Sequence, residues 1–245
     1  MSASNAALII VPGVASPSHP RYRVVRDTLA DAASERGYAT VQTISYPGQD
    51  TDGTATLDLE TSATALADAV RQHRARGQIP SVLARSYGCY VALRALGLND
   101  PDLQVARLVL WGPPPYWLMY EFWKRDLDVV VPEIGTTRRL DAAQRGTRVD
   151  TRFFDSLIPL ELLLRDEQVE HRIEQLILAT GQLDPYCPPE FLTYVSSLVP
   201  HFMTKLTLCD PIMEVGHAVI PSECSAASLA DYLDAVLGTQ GERND

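Results

Sequence analysis

Pro80-Ser81-Val82-Leu83-Ala84-Arg85-Ser86-Tyr87-Gly88-Cys89-Tyr90-Val91-Ala92-Leu93 is the stretch from which the rest of the chain can be read. Its first part, Pro80 to Ala84, is a short apolar run suited to a buried strand, and Tyr87 to Leu98 reads as a helix. Ser86 alone stands at the junction. The same alternation runs outward in both directions. Upstream, Ala7 to Val11 is a continuous apolar run ending at Pro12-Gly13, as expected of a strand covered on both faces. Arg21 to Arg36 sets Val24, Val25, Leu29, Ala32 and Ala33 at helical spacing ahead of Gly37. Thr40 to Ser45 follows as a strand, and Leu57 to Arg76 as a long helix closed by Gly77. Downstream, Val105 to Trp111 and Ile173 to Ala179 are strands, Pro188 to Leu198 a helix, Phe202 to Cys209 the last strand and Ala226 to Leu237 a terminal helix. Such an order predicts the α/β class: a mostly parallel sheet with helices on both faces and right-handed crossovers.

Between Trp111 and Ile173 the rhythm stops. The chain therefore divides into a core, 1–112 and 171–245, and an inserted lid, 113–170, expected to be helical. The lid opens with Pro113-Pro114-Pro115-Tyr116-Trp117-Leu118-Met119-Tyr120-Glu121-Phe122-Trp123. Tyr116, Trp117, Tyr120 and Trp123 are candidates for an apolar substrate pocket, although their spacing equally suits a helix that only fastens the lid to the core. Phe153 to Leu160 reads as a second lid helix. Arg138, Arg139, Arg145, Arg148 and Arg152 make the region locally basic, either to steer a carboxylate or a carrier-bound phosphopantetheine group or simply as a solvated face.

Composition narrows the function classes. With 245 residues, 46% hydrophobic and 21% charged, the chain fits one large α/β domain rather than a disordered or fibrous protein. Lys plus Arg number 21 against 31 Asp plus Glu, a net charge of −10, which disfavours nucleic acid or an anionic membrane as partner. Cys89, Cys187, Cys209 and Cys224 form no C-x-x-C pair, so neither a zinc site nor a disulfide framework is expected, and a reducing cytoplasm fits. The start, Met1 to Ala7, lacks the basic segment of a signal peptide, and no run is long enough to span a membrane.

In an open parallel sheet the chemistry gathers beyond the carboxyl ends of the strands. There, Ala84-Arg85-Ser86-Tyr87-Gly88 resembles the nucleophile elbow G-x-S-x-G of the α/β-hydrolase superfamily, with Ala84 where the motif prefers glycine. The superfamily places its serine, acid and histidine in that chain order. Thr180-Gly181-Gln182-Leu183-Asp184-Pro185 resembles its acid turn and Val215-Gly216-His217-Ala218 its histidine loop. The resemblance thus implies Ser86 as nucleophile, His217 as base and Asp184 as the acid that fixes the imidazole tautomer. Glu214 and Asp210 are weaker rivals for the acid. Taken singly, Ser86 reads as a helix N-cap, Asp184 as a turn former and His217 as a loop histidine. His19, His73, His171 and His201 lack the loop context.

The family pattern also implies an oxyanion hole from the backbone of Tyr87 and of the loop after the first strand. Pro12 has no N–H, so Val14 is the expected donor there, with Gly13 allowing close approach. The family often has His-Gly where this chain has Pro12-Gly13. Tyr87 after the serine resembles the elbow of prolyl-oligopeptidase-type serine peptidases, which is too little to assign peptidase activity.

The resemblance implies a serine hydrolase acting on a carboxyl ester or thioester of a small-molecule or carrier-bound acyl substrate, with no metal and no organic cofactor. The same triad admits acyl transfer, cyclisation, or amide and peptide cleavage, because fold alone does not choose among them. A serine rather than an aspartate at the elbow argues against dehalogenase or epoxide hydrolase chemistry. Two further alternatives are a ligand-binding protein without turnover and a proton-transfer lyase using His217. The oligomeric state is left open.

Overall fold

The computed structural model describes residues 6–14, 20–47, 49, 54–55, 57–118, 128–131, 136–138, 148–150, 152–202 and 204–238. In chain order the elements are β1 (Ala7–Val11), α1 (Pro20–Glu35), β2 (Thr40–Thr43), β3 (Thr54–Ala55), α2 (Leu59–Ala75), β4 (Ser81–Arg85), α3 (Tyr87–Leu96) and β5 (Val105–Trp111). There follow β6 (Asp128–Val131), β7 (Thr136–Arg138), β8 (Arg148–Asp150) and the short helices α4 (Arg152–Asp155), α5 (Leu160–Leu164) and α6 (Glu167–His171). β9 (Ile173–Ala179), α7 (Pro189–Ser197), β10 (Leu206–Leu208) and α8 (Ala226–Leu237) complete the chain.

Six strands form one parallel sheet in the order β10-β9-β5-β4-β1-β2. The period-2 alternation of a strand sends successive side chains to opposite faces, so each apolar run supplies two cores. Ile9, Val11, Val82, Ala84, Leu108, Leu110, Leu176 and Leu178 face the layer holding α2 and α3. Leu8, Ile10, Leu83, Val109, Trp111, Ile177 and Ala179 face α1 and α8. Nearly all of these side chains are inaccessible to water. Burying one such aliphatic side chain is worth about 1.5–3 kcal/mol, which is why strands covered on both faces read as continuous apolar runs. The helix ends are set locally. Asp58 accepts the Thr61 N–H to start α2, and Ser225 accepts the Ser228 N–H to start α8.

Two expectations need correction. The last strand is three residues long, Leu206–Leu208, and Phe202 instead ends a 3-10 turn, Pro200–Phe202. β10 is an edge strand with Thr207 and Leu208 exposed, while Phe202 is driven inward, so the apolar signal belongs to two different structures. The segment 113–170 is also not purely helical. β6, β7 and β8 build a second sheet in the order β3-β8-β6-β7, with β3 contributed from the loop after β2. The run of valines at 129–131 is stiff at χ1 and favours extended backbone. Among the described residues no helix is long and apolar enough to cross a membrane.

All six strands being parallel, their carboxyl ends lie at one edge. The start of α3 is fixed there by a close approach to β1: a Cβ on Gly88 would stand 2.4 Å from the Val11 carbonyl oxygen and 2.7 Å from that of Pro12. Both obstacles are backbone, so neither can rotate away. Gly88→Ala is therefore expected to cost about 3 kcal/mol or somewhat more, at the upper end of overpacking penalties, read as a lowered midpoint in urea unfolding with an unchanged slope.

Candidate active site

The loop ends that carry the sequence candidates converge at this edge. Ser86 joins β4 to α3 with φ 54° and ψ −122°, a left-sided conformation uncommon for a side chain-bearing residue. Its N–H donates to Trp111 O at 3.0 Å, which anchors the turn to β5. Unlike Asp58 and Ser225, it does not use its side chain to cap the helix it precedes. Ser86 thus occupies the N-cap position of α3 without capping it through its side chain, which is partly exposed. Gly13 lies against it, since a Cβ there would stand 3.1 Å from Ser86 Cβ and 3.6 Å from its Oγ.

Asp184 and His217 meet across the ends of β9 and β10. His217 Nδ1 is 2.8 Å from Asp184 Oδ2, with the carboxylate fully buried and the imidazole 17% exposed. The other carboxylate oxygen, Oδ1, accepts the N–H groups of Tyr186 at 2.8 Å and Cys187 at 3.0 Å. A buried carboxylate is tolerated because its lone pairs are taken by donors. The two loops are joined by their backbones: Leu183 N–H donates to Val215 O, Gln182 N–H to Ile212 O, and Ile212 N–H to Thr180 O. The Tyr186 ring stands edge-on to the imidazole at 5.0 Å between centroids.

The rival acid Glu214 is bonded to other partners. Glu214 Oε2 accepts from Ser225 N and Ser228 Oγ at the start of α8, and hydrogen bonding with the Ser225 hydroxyl first, then the Ser225 N–H and the Ser228 hydroxyl, holds its carboxyl below the usual range. His73 is buried between Gln42 and Gln78, and His201 bonds the Leu164 carbonyl. His19 lies outside the described residues. Burial pushes the Cys89 and Cys187 thiols well up, and for Cys187 the neighbouring Asp184 charge adds to this. Neither is poised as a thiolate nucleophile. Among the described residues no group of three His, Cys, Asp or Glu side chains is arranged to hold a metal ion.

Of the lid candidates, Tyr116 packs half-buried against the core and Trp117 is 64% exposed. Tyr120 and Trp123 lie outside the described residues. A cavity of about 360 Å³ opens beside His217, with Tyr22, Leu183, Tyr186, Glu214 and Val219 among its walls.

Three residues at the site escape a reading of the sequence. Trp111 Nε1 donates to the His217 carbonyl at 3.2 Å, and the Arg85 guanidinium reaches the same oxygen at 3.4 Å. Nothing marks either as other than a strand residue. Gly112, just past β5, has φ +54°, and a Cβ there would stand 2.7 Å from Asp184 Oδ2 and 3.1 Å from His217 Nδ1. A glycine immediately beyond a strand's carboxyl end was the available signal.

The family comparisons agree with this fold. The model of the "Alpha/beta hydrolase family" matches residues 8–236. The chain belongs to the alpha/beta hydrolase family. Among solved structures it is similar to the esterase domain of a Rhodothermus marinus protein, with TM-score 0.61 and 16% identity over 96% of this chain and 85% of that one. A monoacylglycerol lipase of Paleococcus ferrophilus gives 0.58 and 14% over 94% and 92%. The esterase Pf2001 of Pyrococcus furiosus gives 0.58 and 16% over 94% and 82%. At these identities the likeness is one of fold. No curated protein matches the sequence.

Two outcomes are expected of this alpha/beta hydrolase. Gly112→Ala removes the downfield Nδ1–H proton resonance of His217 by parting it from Asp184, while the fold seen by circular dichroism persists. Iodoacetamide at neutral pH leaves Cys89 and Cys187 unmodified in the native protein, and unfolding in urea makes both reactive, as read by peptide mass mapping.

Proposed function

We propose that the protein is a serine hydrolase that cleaves a carboxyl ester or thioester through an acyl-enzyme on Ser86. One observation carries the reading: a serine held at φ 54° with its hydroxyl not spent on the following helix, at the same sheet edge as an imidazole bonded at 2.8 Å to a buried carboxylate. Among the described residues Ser86 Oγ has no hydrogen-bond partner, His217 included, and such bonds are often long until substrate is bound.

In this reading Ser86 Oγ attacks the acyl carbon and its proton passes to His217 Nε2. Asp184 accepts the Nδ1–H hydrogen bond and stabilises the imidazolium that forms. The tetrahedral oxyanion is received by the N–H groups of Tyr87 and Val14. As the oxyanion collapses, the carbon–oxygen or carbon–sulfur bond to the leaving group breaks and His217 returns the proton to that group. Water then attacks the acyl-enzyme, giving up a proton to His217; as the bond from the acyl carbon to Ser86 Oγ breaks, His217 returns that proton to Oγ, and the carboxylic acid leaves with Ser86 and His217 restored. The segment 113–170 serves as the cap over the acyl part, and the substrate is a small-molecule or carrier-bound acyl compound in the cytoplasm. A net charge of −10 opposes nucleic acid as substrate.

A fluorophosphonate probe with intact-mass detection tests this. One adduct is expected on the wild type, none on Ser86→Ala, and strongly slowed labelling on His217→Ala. Asp184→Asn is expected to lower kcat for 4-nitrophenyl butyrate by roughly 10³–10⁴-fold, because it presents the wrong imidazole tautomer. An adduct that persists in Ser86→Ala refutes the assignment of the nucleophile.

A further inference from the structure

The loop after β1 is gripped by two buried side chains from the loop after β2. Tyr46 donates its hydroxyl to Pro12 O at 2.8 Å. Gln49 donates its Nε2 to Gly13 O at 3.2 Å and to Val14 O at 3.1 Å. The Gln49 amide is itself oriented, since its Oε1 accepts the Tyr46 N–H at 3.1 Å and thereby turns Nε2 toward the loop. The Gln49 N–H in turn donates to Tyr46 O at 3.0 Å. Three consecutive carbonyls, those of Pro12, Gly13 and Val14, are thus all held from outside the loop.

A trans peptide is planar, so its C=O and the next residue's N–H point in opposite directions. Pinning Gly13 O therefore aims the Val14 N–H away from Gln49, and pinning Pro12 O aims the Gly13 N–H away from Tyr46. Among the described residues neither N–H has a hydrogen-bond acceptor, although Val14 is 7% exposed. A buried N–H without an acceptor is rare and persists only where its surroundings impose it. Both lie on the loop whose Gly13 touches Ser86. The Tyr46 ring also packs edge-on against Tyr87, 5.6 Å between centroids, so the same clamp abuts the residue after Ser86.

We propose that Gln49, backed by Tyr46, is a positioning residue that presets the Val14 N–H for a developing oxyanion. The proposal rests on the serine-hydrolase reading of Ser86. Gln49 holds the carbonyls on either side of the Val14 N–H, so its effect is exerted through the Gly13–Val14 peptide. It therefore acts in the transition state and leaves ground-state binding alone.

The test compares wild type, Gln49→Glu and Tyr46→Phe. Glutamate keeps an acceptor for the Tyr46 N–H but cannot donate to the two carbonyls, and phenylalanine keeps the ring but loses the hydroxyl. Hydrolysis of 4-nitrophenyl butyrate is measured with inhibition by an alkyl trifluoromethyl ketone and by its carbinol. The ketone carbon takes Ser86 Oγ to give a hemiketal oxyanion while the hydroxyl proton passes to His217; the carbinol cannot be attacked. In Gln49→Glu, kcat falls about 10- to 100-fold with KM changed less than about threefold, and ketone affinity falls by the same factor as kcat/KM. Carbinol affinity is unchanged. Tyr46→Phe follows the same line with a smaller loss, and decides the matter if Gln49→Glu does not fold by circular dichroism. The proposal is overturned if ketone affinity in the folded variants equals that of wild type, or if ketone and carbinol weaken together as they would from a general loosening. Wild type without turnover or Ser86 labelling overturns the hydrolase reading along with it, whereas labelling intact in a variant with unaltered ketone affinity overturns this inference alone.

Discussion

Where α3 crosses the end of β1, its first turn passes so near the backbone that a Cβ on Gly88 would run into the carbonyl groups of Val11 and Pro12. That crossing fixes where α3 begins, and the connection from β4 is left one residue long. With Arg85 still paired to Trp111 in the sheet and Tyr87 already helical, Ser86 alone must absorb the change of direction. Its positive φ is the local result. The cost of that conformation is offset by packing on both sides, because β4 lies between β5 and β1 and α3 is buried along nearly its whole length.

The rest of the site is assembled by backbone rather than by long side chains. The loops bearing Asp184 and His217 are tied to each other by peptide hydrogen bonds, and the His217 carbonyl is fastened to Trp111 and Arg85, residues on the strands flanking the serine. Gly112 leaves the space in which the acid and the imidazole meet. Such a construction keeps the imidazole in register with the sheet edge, and misplacement by about 1 Å of a reacting group is enough to cost roughly 10²-fold in rate. Salt bridges contribute little to this. Those from Arg71 to Asp68 and Asp100 and from Arg94 to Glu60 lie on the surface, where exposed pairs are worth roughly 0–1 kcal/mol.

The strands β1, β5 and β9 were legible residue for residue: β1 is apolar throughout, and Arg107 in β5 and Glu174 and Gln175 in β9 fall near the strand starts, ahead of unbroken apolar runs. The order of Ser86, Asp184 and His217 after successive strands was legible for the same reason: the apolar runs mark where loops begin. The edge strand β10 was not, since two of its three residues face water and Phe202, the strongest apolar signal nearby, is buried through a 3-10 turn. Two-residue β3 and the strands of the insertion carry too few residues for a period to show. Trp111, Arg85, Tyr46 and Gln49 act through contacts 34 or more residues apart in sequence, which no local pattern encodes. Gln49 is the clearest case, a buried polar side chain in a loop that reads only as hydrophilic.

The central claim, that the strained serine and the loops around it form one acyl-transfer site, is tested most directly by a crystal structure of the protein after reaction with diethyl 4-nitrophenyl phosphate. The expected result is a phosphorus–oxygen bond at Ser86 Oγ, the phosphoryl oxygen within hydrogen-bond distance of the Tyr87 and Val14 N–H groups, and His217 still bonded to Asp184. Phosphorylation of another residue, or a phosphoryl oxygen on Ser86 turned away from both N–H groups, would contradict it.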